Sequence, residues 1–372
     1  MISHPRVRTW THEPLPVEVR RSLARIADLD DVAVVAAMPD VHLANGVCVG
    51  AVVATHTCLF AHAVGGDLGC GMSAVRLDAP AELLAEPSMA ARVLAMLAAR
   101  VPTSARRSRD AELPAELDEH ELSAPALEKK KATIGRVQFG TLGRGNHFVE
   151  LQRDADDQLW LMIHSGSRGI GQGISEHHGC ASAELRPLLA DSPGGRAYLV
   201  DLEWALTYAR LSRRRIAEEV VAGFSELSAA GARWDTYFDC QHNLVRLEEH
   251  AGVRLWVHRK GAISARHGEP GIIPGSMGSP SFHVEGRGNS ESLCSSSHGA
   301  GRAMSRTEAR RKISLRTLSD QMSGVWFDHR VAEQLRDEAP GAYKDISSVM
   351  RAQRALTRIT RRLDPVLVYK GA

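Results

Sequence analysis

The stretch from residue 271 to 301 limits what this chain can fold into more than any other. It is rich in glycine and serine, and its apolar positions are too few and too irregular for a long helix. Inside it runs Cys294-Ser295-Ser296-Ser297-His298-Gly299-Ala300-Gly301-Arg302. A histidine stands there among small residues, directly before a Gly-Ala-Gly step and an arginine. Small residues let a phosphate approach the backbone closely, and glycine adopts the turns such an approach needs. An imidazole in this setting could bind a metal, move a proton or attack phosphorus.

The flanking pattern mixes both kinds of element. Apolar spacing predicts a helix over residues 16–29, a strand over 32–37, and strands joined by tight turns over 47–77. A helix is expected over 79–100 and strands around a Gly-rich loop over 137–163. Helices follow over 194–227, 304–323 and 343–362, with short strands at 255–257 and 366–368. Residues 103–131 are polar and read as a surface excursion containing a helix. No repeat recurs at a fixed period, and strands and helices do not alternate as in a βαβ array. The fold class read from this order is α+β.

Composition excludes more than it selects. A chain of 372 residues with 44% hydrophobic and 24% charged residues suits a soluble globular protein. The net charge of +2 does not announce a nucleic-acid partner. The distribution is less even, with fourteen Lys/Arg against seven Asp/Glu between Arg302 and Arg362. That run reads as a solvated arginine-rich surface or as a phosphate-binding face. Six cysteines without a CxxC pair make no disulfide framework. No secretory signal and no apolar run long enough for a membrane span are visible, so a cytoplasmic protein is expected.

Several short constellations carry metal-ligand chemistry. Asp67 and Cys70 lie in Gly65-Gly66-Asp67-Leu68-Gly69-Cys70-Gly71-Met72. His147 lies in Gly145-Asn146-His147-Phe148-Val149-Glu150, His164 opens His164-Ser165-Gly166-Ser167-Arg168-Gly169, and His242 sits in Cys240-Gln241-His242-Asn243. Alone, each reads more simply as a turn residue or a satisfied polar side chain. Together they offer O, S and N donors, which suit Mn, Fe, Co or Zn better than Mg or Ca. The Gly/Ser loop from Pro274 to Ser281 is neither a Walker loop nor a dinucleotide fingerprint.

Taken in order, these segments resemble the RtcB family of RNA ligases. Pro39-Asp40-Val41-His42, the Asp67–Met72 run, Gly140-Thr141-Leu142-Gly143 with Gly145–Glu150, and His164–Gly169 carry the first half. His242-Asn243, His258-Arg259-Lys260-Gly261-Ala262, Ile273–Gly278, Ser297–Arg302, Tyr343-Lys344-Asp345-Ile346 and Lys370-Gly371 carry the second. The likeness runs from about residue 35 to the C-terminus. Leu43-Ala44-Asn45-Gly46 and Ser279-Pro280-Ser281-Phe282 depart from the family pattern.

The resemblance implies one large domain over residues 1–372, with mixed sheets around a central two-metal site and an excursion at about 103–131. It implies a ligase that uses GTP and Mn²⁺ to join an RNA 3′-phosphate or 2′,3′-cyclic phosphate to a 5′-hydroxyl, in repair or tRNA splicing. His298 would be the nucleophile that takes GMP from GTP. Two Mn²⁺ ions would share Cys70, with Asp67 and His147 completing one set and His164 and His242 the other. Guanylate-contacting positions would be Asn146, His147, Phe148, Val149, Glu150, His242, Asn243, Pro274, Gly275, Ser276, Met277, Ser281, His298, Gly299, Ala300, Gly301 and Lys370. An ionised Glu150 matches guanine N1–H and N2–H, and Lys370 matches O6. Arg168 and Arg302 are further candidates for phosphate or RNA, and Tyr343 for the base. Expected partners are RNA with broken ends and an archease-type activator, for a monomer without a membrane anchor. Two other readings use the same scaffold: a metal-dependent RNA-end phosphoesterase, and a non-catalytic RNA-end-binding paralogue. Hydrolysis has no use for a guanine-selective pocket, and a binding module could lose its metal ligands, yet this chain keeps both sets.

Overall fold

The computed structural model describes residues 4–11, 13–106, 112–180 and 184–371. Helices and sheets mix in one domain, as the α+β reading expects. A five-stranded sheet runs in the order Val7–Thr9, Val32–His42, Val49–Thr55, Val253–Lys260, Asn243–His250. The larger sheet follows Pro270–Ile273, Ser281–Gly286, Thr357–Lys370, Phe148–Arg153, Gln158–Ser165, Gly71–Pro80 and Ala232–Gln241. Trp326–Phe327 adds a short parallel strand against Thr357–Lys370.

Strand periodicity gives the larger sheet two faces with different work. Leu159, Leu161 and Ile163 point to the same side as Val149, Leu151, Val75 and Leu77. Two helices cover that side. Pro87–Arg100 contributes Ala90, Val93 and Leu97, and Pro193–Ser228 contributes Ile216, Val220 and Phe224. Each buried large side chain there stabilises by about 1.5–3 kcal/mol. The long helix starts cleanly because Ser192 Oγ accepts from the Gly195 N–H at 3.0 Å and Pro193 opens the first turn. The alternate positions Trp160, Met162, Met72 and Ala74 face the other way. His164 continues that row, so the histidine lies on the face away from the helices.

The expected helix over 343–362 is a correction. Only Ile346–Ala352 is helical, started by Asp345, whose carboxylate accepts from the Ser347 and Ser348 N–H groups. From Thr357 the chain is a strand, Thr357–Lys370, paired on one edge with Ser281–Gly286 and on the other with Phe148–Arg153. Two strand edges and β-branched Thr357, Ile359 and Thr360 outweigh the helix expected there. The arginines are tied down as strand residues, Arg358 to Glu285 at 2.8 Å and Arg361 over the Trp160 ring at 4.4 Å.

Other boundaries moved for local reasons. The 304–323 helix divides into Arg306–Lys312 and Leu315–Gln321, because Ser314 caps the second by accepting from the Thr317 N–H. The first strand extends to His42, and the short one at 255–257 becomes Val253–Lys260. Strands near the Gly-rich loop begin only at Phe148, and Arg136–Gln138 is helical. Within 103–131 lie the short helices Ala115–Asp118 and Pro125–Lys130. Their Leu117 and Leu127 are buried against Trp204 and Tyr208 of the long helix. Residues 107–111 of this excursion lie outside the described residues. Among the described residues five cysteines are free thiols, and no helix is long and apolar enough to cross a membrane.

Candidate metal and nucleotide site

Register brings the chemistry to one end of the larger sheet. Gly71 pairs with Ser165 and with Gln241, and Met72 with His164 and Cys240. His164 stands opposite Phe148, which in turn stands opposite Lys370. Cys70 just precedes its strand, His164 nearly ends the next, His242 just follows a third, and His147 just precedes a fourth. Residues 172 positions apart in sequence (Cys70 to His242) therefore meet at one place.

Two overlapping groups form there: Asp67, Cys70 and His147, and Cys70, His164 and His242. Within each group the donor atoms lie within 4.8 Å of one another. The His147 Nδ1–H donates to the Leu142 carbonyl at 3.0 Å, which leaves Nε2 facing Asp67 Oδ2 at 2.9 Å and Cys70 Sγ at 3.6 Å. The His164 Nδ1–H donates to the Asn146 carbonyl at 3.0 Å, leaving Nε2 3.2 Å from the same sulfur. An imidazole lone pair, a thiol sulfur and a carboxylate all aim electron pairs at shared points, which is an arrangement a cation completes. Burial, with His147 and His298 nearby, holds His164 well below the ordinary histidine range, so its imidazole is a neutral donor. Burial and then His298 do the same for His242. Burial and the Asp67 charge push the Cys70 thiol well up. A cation would therefore have to displace the proton, as bound metals do to coordinating thiols. The donor set fits a borderline-soft divalent metal.

His298 stands beside this cluster, its ring 4.8 Å from that of His242. It is carried there by Ser295–Ser297, which pairs with Ala262–Ser264. The His298 Nδ1–H donates to Asp40 Oδ2 at 2.6 Å, and the backbone N–H of His298 reaches the same oxygen at 3.2 Å. Nε2 keeps its lone pair. Asp40 is fully buried. Burial pushes its carboxyl up, but His298, then His42 and Lys344, outweigh this and hold it below the ordinary value. The Lys344 ammonium donates to the Pro39 and Val41 carbonyls, which fixes the chain on both sides of Asp40. Gly301, at φ +73, turns the backbone where a Cβ would strike the Asp40 carbonyl at 2.3 Å. Asp40 was visible in the sequence only as part of a motif without a role.

Next to His298 opens a cavity of about 240 Å³. Phe148 and Glu150 line it from one strand, Asn146 from the turn before that strand, and Lys370 from the next strand. Pro274, Gly275, Ser276, Met277 and Ser281 supply a loop wall, and His298 with Gly299, Ala300 and Gly301 supplies another. Four of the expected nucleotide positions lie outside it. Val149 points into the helix-covered core, since it alternates with Phe148 and Glu150. His147 and His242 belong to the donor cluster. Asn243 holds the frame, donating to the Asp67 carbonyl and accepting from the Gly261 N–H at 3.0 and 2.9 Å.

Two neighbouring residues, Glu338 in the cavity wall and Asp337 beside it, had no sequence signal. Glu338 is buried and accepts from Lys370 Nζ and from Tyr343 Oη, each at 2.8 Å. Arg302 and Arg306 also reach it, at 3.2 and 2.7 Å. Burial pushes the Glu338 carboxyl up, but Lys370 and Arg306 prevail and hold it below the ordinary range. Asp337 takes Arg306 and Arg310. Part of the arginine-rich run is thus turned toward two buried carboxylates, Arg302 most fully and Arg306 in part, while Arg310 stays exposed. Arg168, the other basic candidate, donates to Thr141 Oγ1 and to the Thr103 and Ser104 carbonyls. Buried Glu150 has its carboxyl pushed up to about 8 by burial, which the Gln152 amide and Lys370 only partly offset.

A mixed-sheet domain that sets a Cys/His/Asp cluster beside a histidine-walled cavity is the class this geometry defines. The sequence model of the tRNA-splicing ligase RtcB family matches residues 22–371. The chain belongs to that family. It is 37% identical over 401 residues to the RNA-splicing ligase RtcB of Escherichia coli K12, covering 98% of this chain and 97% of that one. It is 31% identical to RNA-splicing ligase RtcB2 of E. coli ATCC 25922, over 95% of this chain and 92% of that one. Similarity to the RNA-splicing ligase RtcB of Mycobacterium tuberculosis is 32% over 68% of each chain.

Proposed function

We propose that this chain is a GTP-dependent RNA ligase that joins a 3′-phosphate or 2′,3′-cyclic phosphate end to a 5′-hydroxyl end. The observation that carries this reading is the placement of His298. Its Nδ1–H is held by buried Asp40, so its Nε2 lone pair is free between the donor cluster and the cavity.

In the first step Nε2 attacks the α-phosphorus of GTP and the bond to pyrophosphate breaks. The ring then carries positive charge, which the Asp40 carboxylate balances through Nδ1–H. GMP next passes to the RNA 3′-phosphate as the N–P bond breaks and the imidazole is restored. The 5′-hydroxyl finally attacks that activated phosphorus, and GMP leaves. Glu150 and Lys370 would read the guanine edge. Asp67, Cys70 and His147 would hold one Mn²⁺, and Cys70, His164 and His242 the other. Bound there, the ions would neutralise triphosphate charge and orient the phosphates. Broken RNA is the partner this chemistry needs, and an archease-type activator remains part of the reading.

A phosphoesterase would have no use for a guanine-selective pocket. The test is protein labelling with α-³²P-GTP and Mn²⁺. Wild-type protein takes up label that is stable to denaturation and lost in acid, and His298→Ala takes up none. Unlabelled wild-type protein, or a labelled His298→Ala variant, overturns the reading.

A further inference from the structure

We propose that Arg213, on the long helix behind the sheet, is a positioning residue whose support falls mainly on the Cys70–His164–His242 centre, and reaches the Asp67–Cys70–His147 centre only through the shared Cys70. The inference rests on the two-ion reading above and assigns one of the two ions its own support.

Arg213 is fully buried. Its Nη1 donates to the Gly69 carbonyl at 2.9 Å and to the Ser165 carbonyl at 2.7 Å. Its Nε and Nη2 donate to the two carboxylate oxygens of Asp239, at 2.6 and 2.8 Å. Gly69 directly precedes Cys70, Ser165 directly follows His164, and Asp239 lies on the strand Ala232–Gln241 that leads into His242. One guanidinium therefore ties together the backbones that carry all three ligands of this centre. A Cβ at position 71 would lie 3.1 Å from Arg213 Cζ and 2.5 Å from the Cys240 carbonyl. Glycine at 71 is what lets the cation sit that close to the ligand strands.

The other centre is held by different means. His147 is oriented by the Leu142 carbonyl, and the Asp67 backbone by Asn243 Nδ2, each at 3.0 Å. Arg213 bonds to neither of these residues, and its one link to this centre is the shared Cys70. Its planar fork fixes directions that a lysine ammonium, a single point charge on a flexible stem, cannot reproduce. Groups that orient metal ligands commonly change affinity by about 10–100-fold when lost.

The test is Mn²⁺ titration by calorimetry, with metal content after dialysis, on the full chain and on Arg213→Lys. Circular dichroism checks that the variant is folded. Wild type is expected to bind two ions. Arg213→Lys is expected to bind one ion with an affinity close to wild type and the other at least tenfold more weakly. Adding Arg213→Lys to His147→Ala then removes the remaining ion, while adding it to His164→Ala changes nothing further. If Arg213→Lys does not fold, Asp239→Asn is read the same way. A folded variant that keeps both affinities overturns the inference, and so does equal weakening of both ions, which a merely structural arginine would give. Wild-type protein that binds fewer than two ions overturns the two-ion reading instead, so the two failures are distinguishable.

Discussion

Guanine nucleotide binding should tighten as the pH rises from 7.0 to 8.5, and Glu150 sets the size of the effect. Its buried carboxyl is pushed up to about 8, because burial outweighs the Gln152 amide and Lys370. At pH 7 the group is therefore mostly a neutral acid. Guanine offers two donors at N1 and N2, and only the ionised carboxylate accepts from both without presenting a competing O–H. Binding must then expel a proton. Each pH unit below the carboxyl's own value weakens binding about tenfold, or about 1.4 kcal/mol. The sign follows: affinity is full above about 8 and falls as the pH drops through it. From pH 7.0 to 8.5 the ionised fraction rises from roughly 0.09 to 0.76, so affinity rises about eightfold. The assay is calorimetric titration of His298→Ala protein with GMP, without metal, against AMP as the control for phosphate ionisation. Measurement in two buffers of different ionisation enthalpy counts the proton released. Glu150→Gln should bind more weakly and show no trend. A GMP-to-AMP affinity ratio that is flat across this range, with no proton released at pH 7, would refute the reasoning.

Asp40→Asn keeps the shape beside His298 but removes the charge and can present an N–H to Nδ1. Single-turnover guanylylation should fall by about 10³–10⁴-fold, with GTP affinity unchanged within a few fold, and a rate within tenfold of wild type would remove Asp40 from the mechanism. Phe224→Ala empties a fully buried position where the long helix meets the sheet. It should lower stability by about 3–5 kcal/mol in urea unfolding, and a loss below about 1 kcal/mol would mean that this layer is not the core.

The donor cluster was legible because its residues sit where chains change direction. Cys70, His147, His164 and His242 each adjoin glycine or a strand end, and such transitions show in sequence. What they touch did not show. His258 lies in an equally clear motif, yet it is a satisfied core residue. Its Nδ1–H faces the Val53 carbonyl, its Nε2 accepts from the Phe60 N–H, and burial pushes it down to about 4. The residues 343–362 failed for a different reason. The segment read locally as a helix, but the strand there is imposed by Phe148–Arg153 and Ser281–Gly286, which lie far away in the chain. Arg213 had no signal at all, since its partners Gly69, Ser165 and Asp239 are set by three separate strands.

Glu338 shows why the arginine-rich run could not be read by counting charge. A buried, unpaired ammonium would be strongly unfavourable, so Lys370 at the cavity wall requires a buried carboxylate. Glu338 supplies it, and Arg302, Arg306 and Tyr343 then satisfy what Lys370 leaves of that carboxylate. The excess of arginine thus belongs partly to the inside of the protein. The pairing is compatible with the guanine-reading role proposed for Lys370. An ammonium has three N–H donors, so one bond to Glu338 orients the head group and leaves two donors for a base oxygen. Glu338 is in this sense the residue that makes a lysine at position 370 both tolerable and directional.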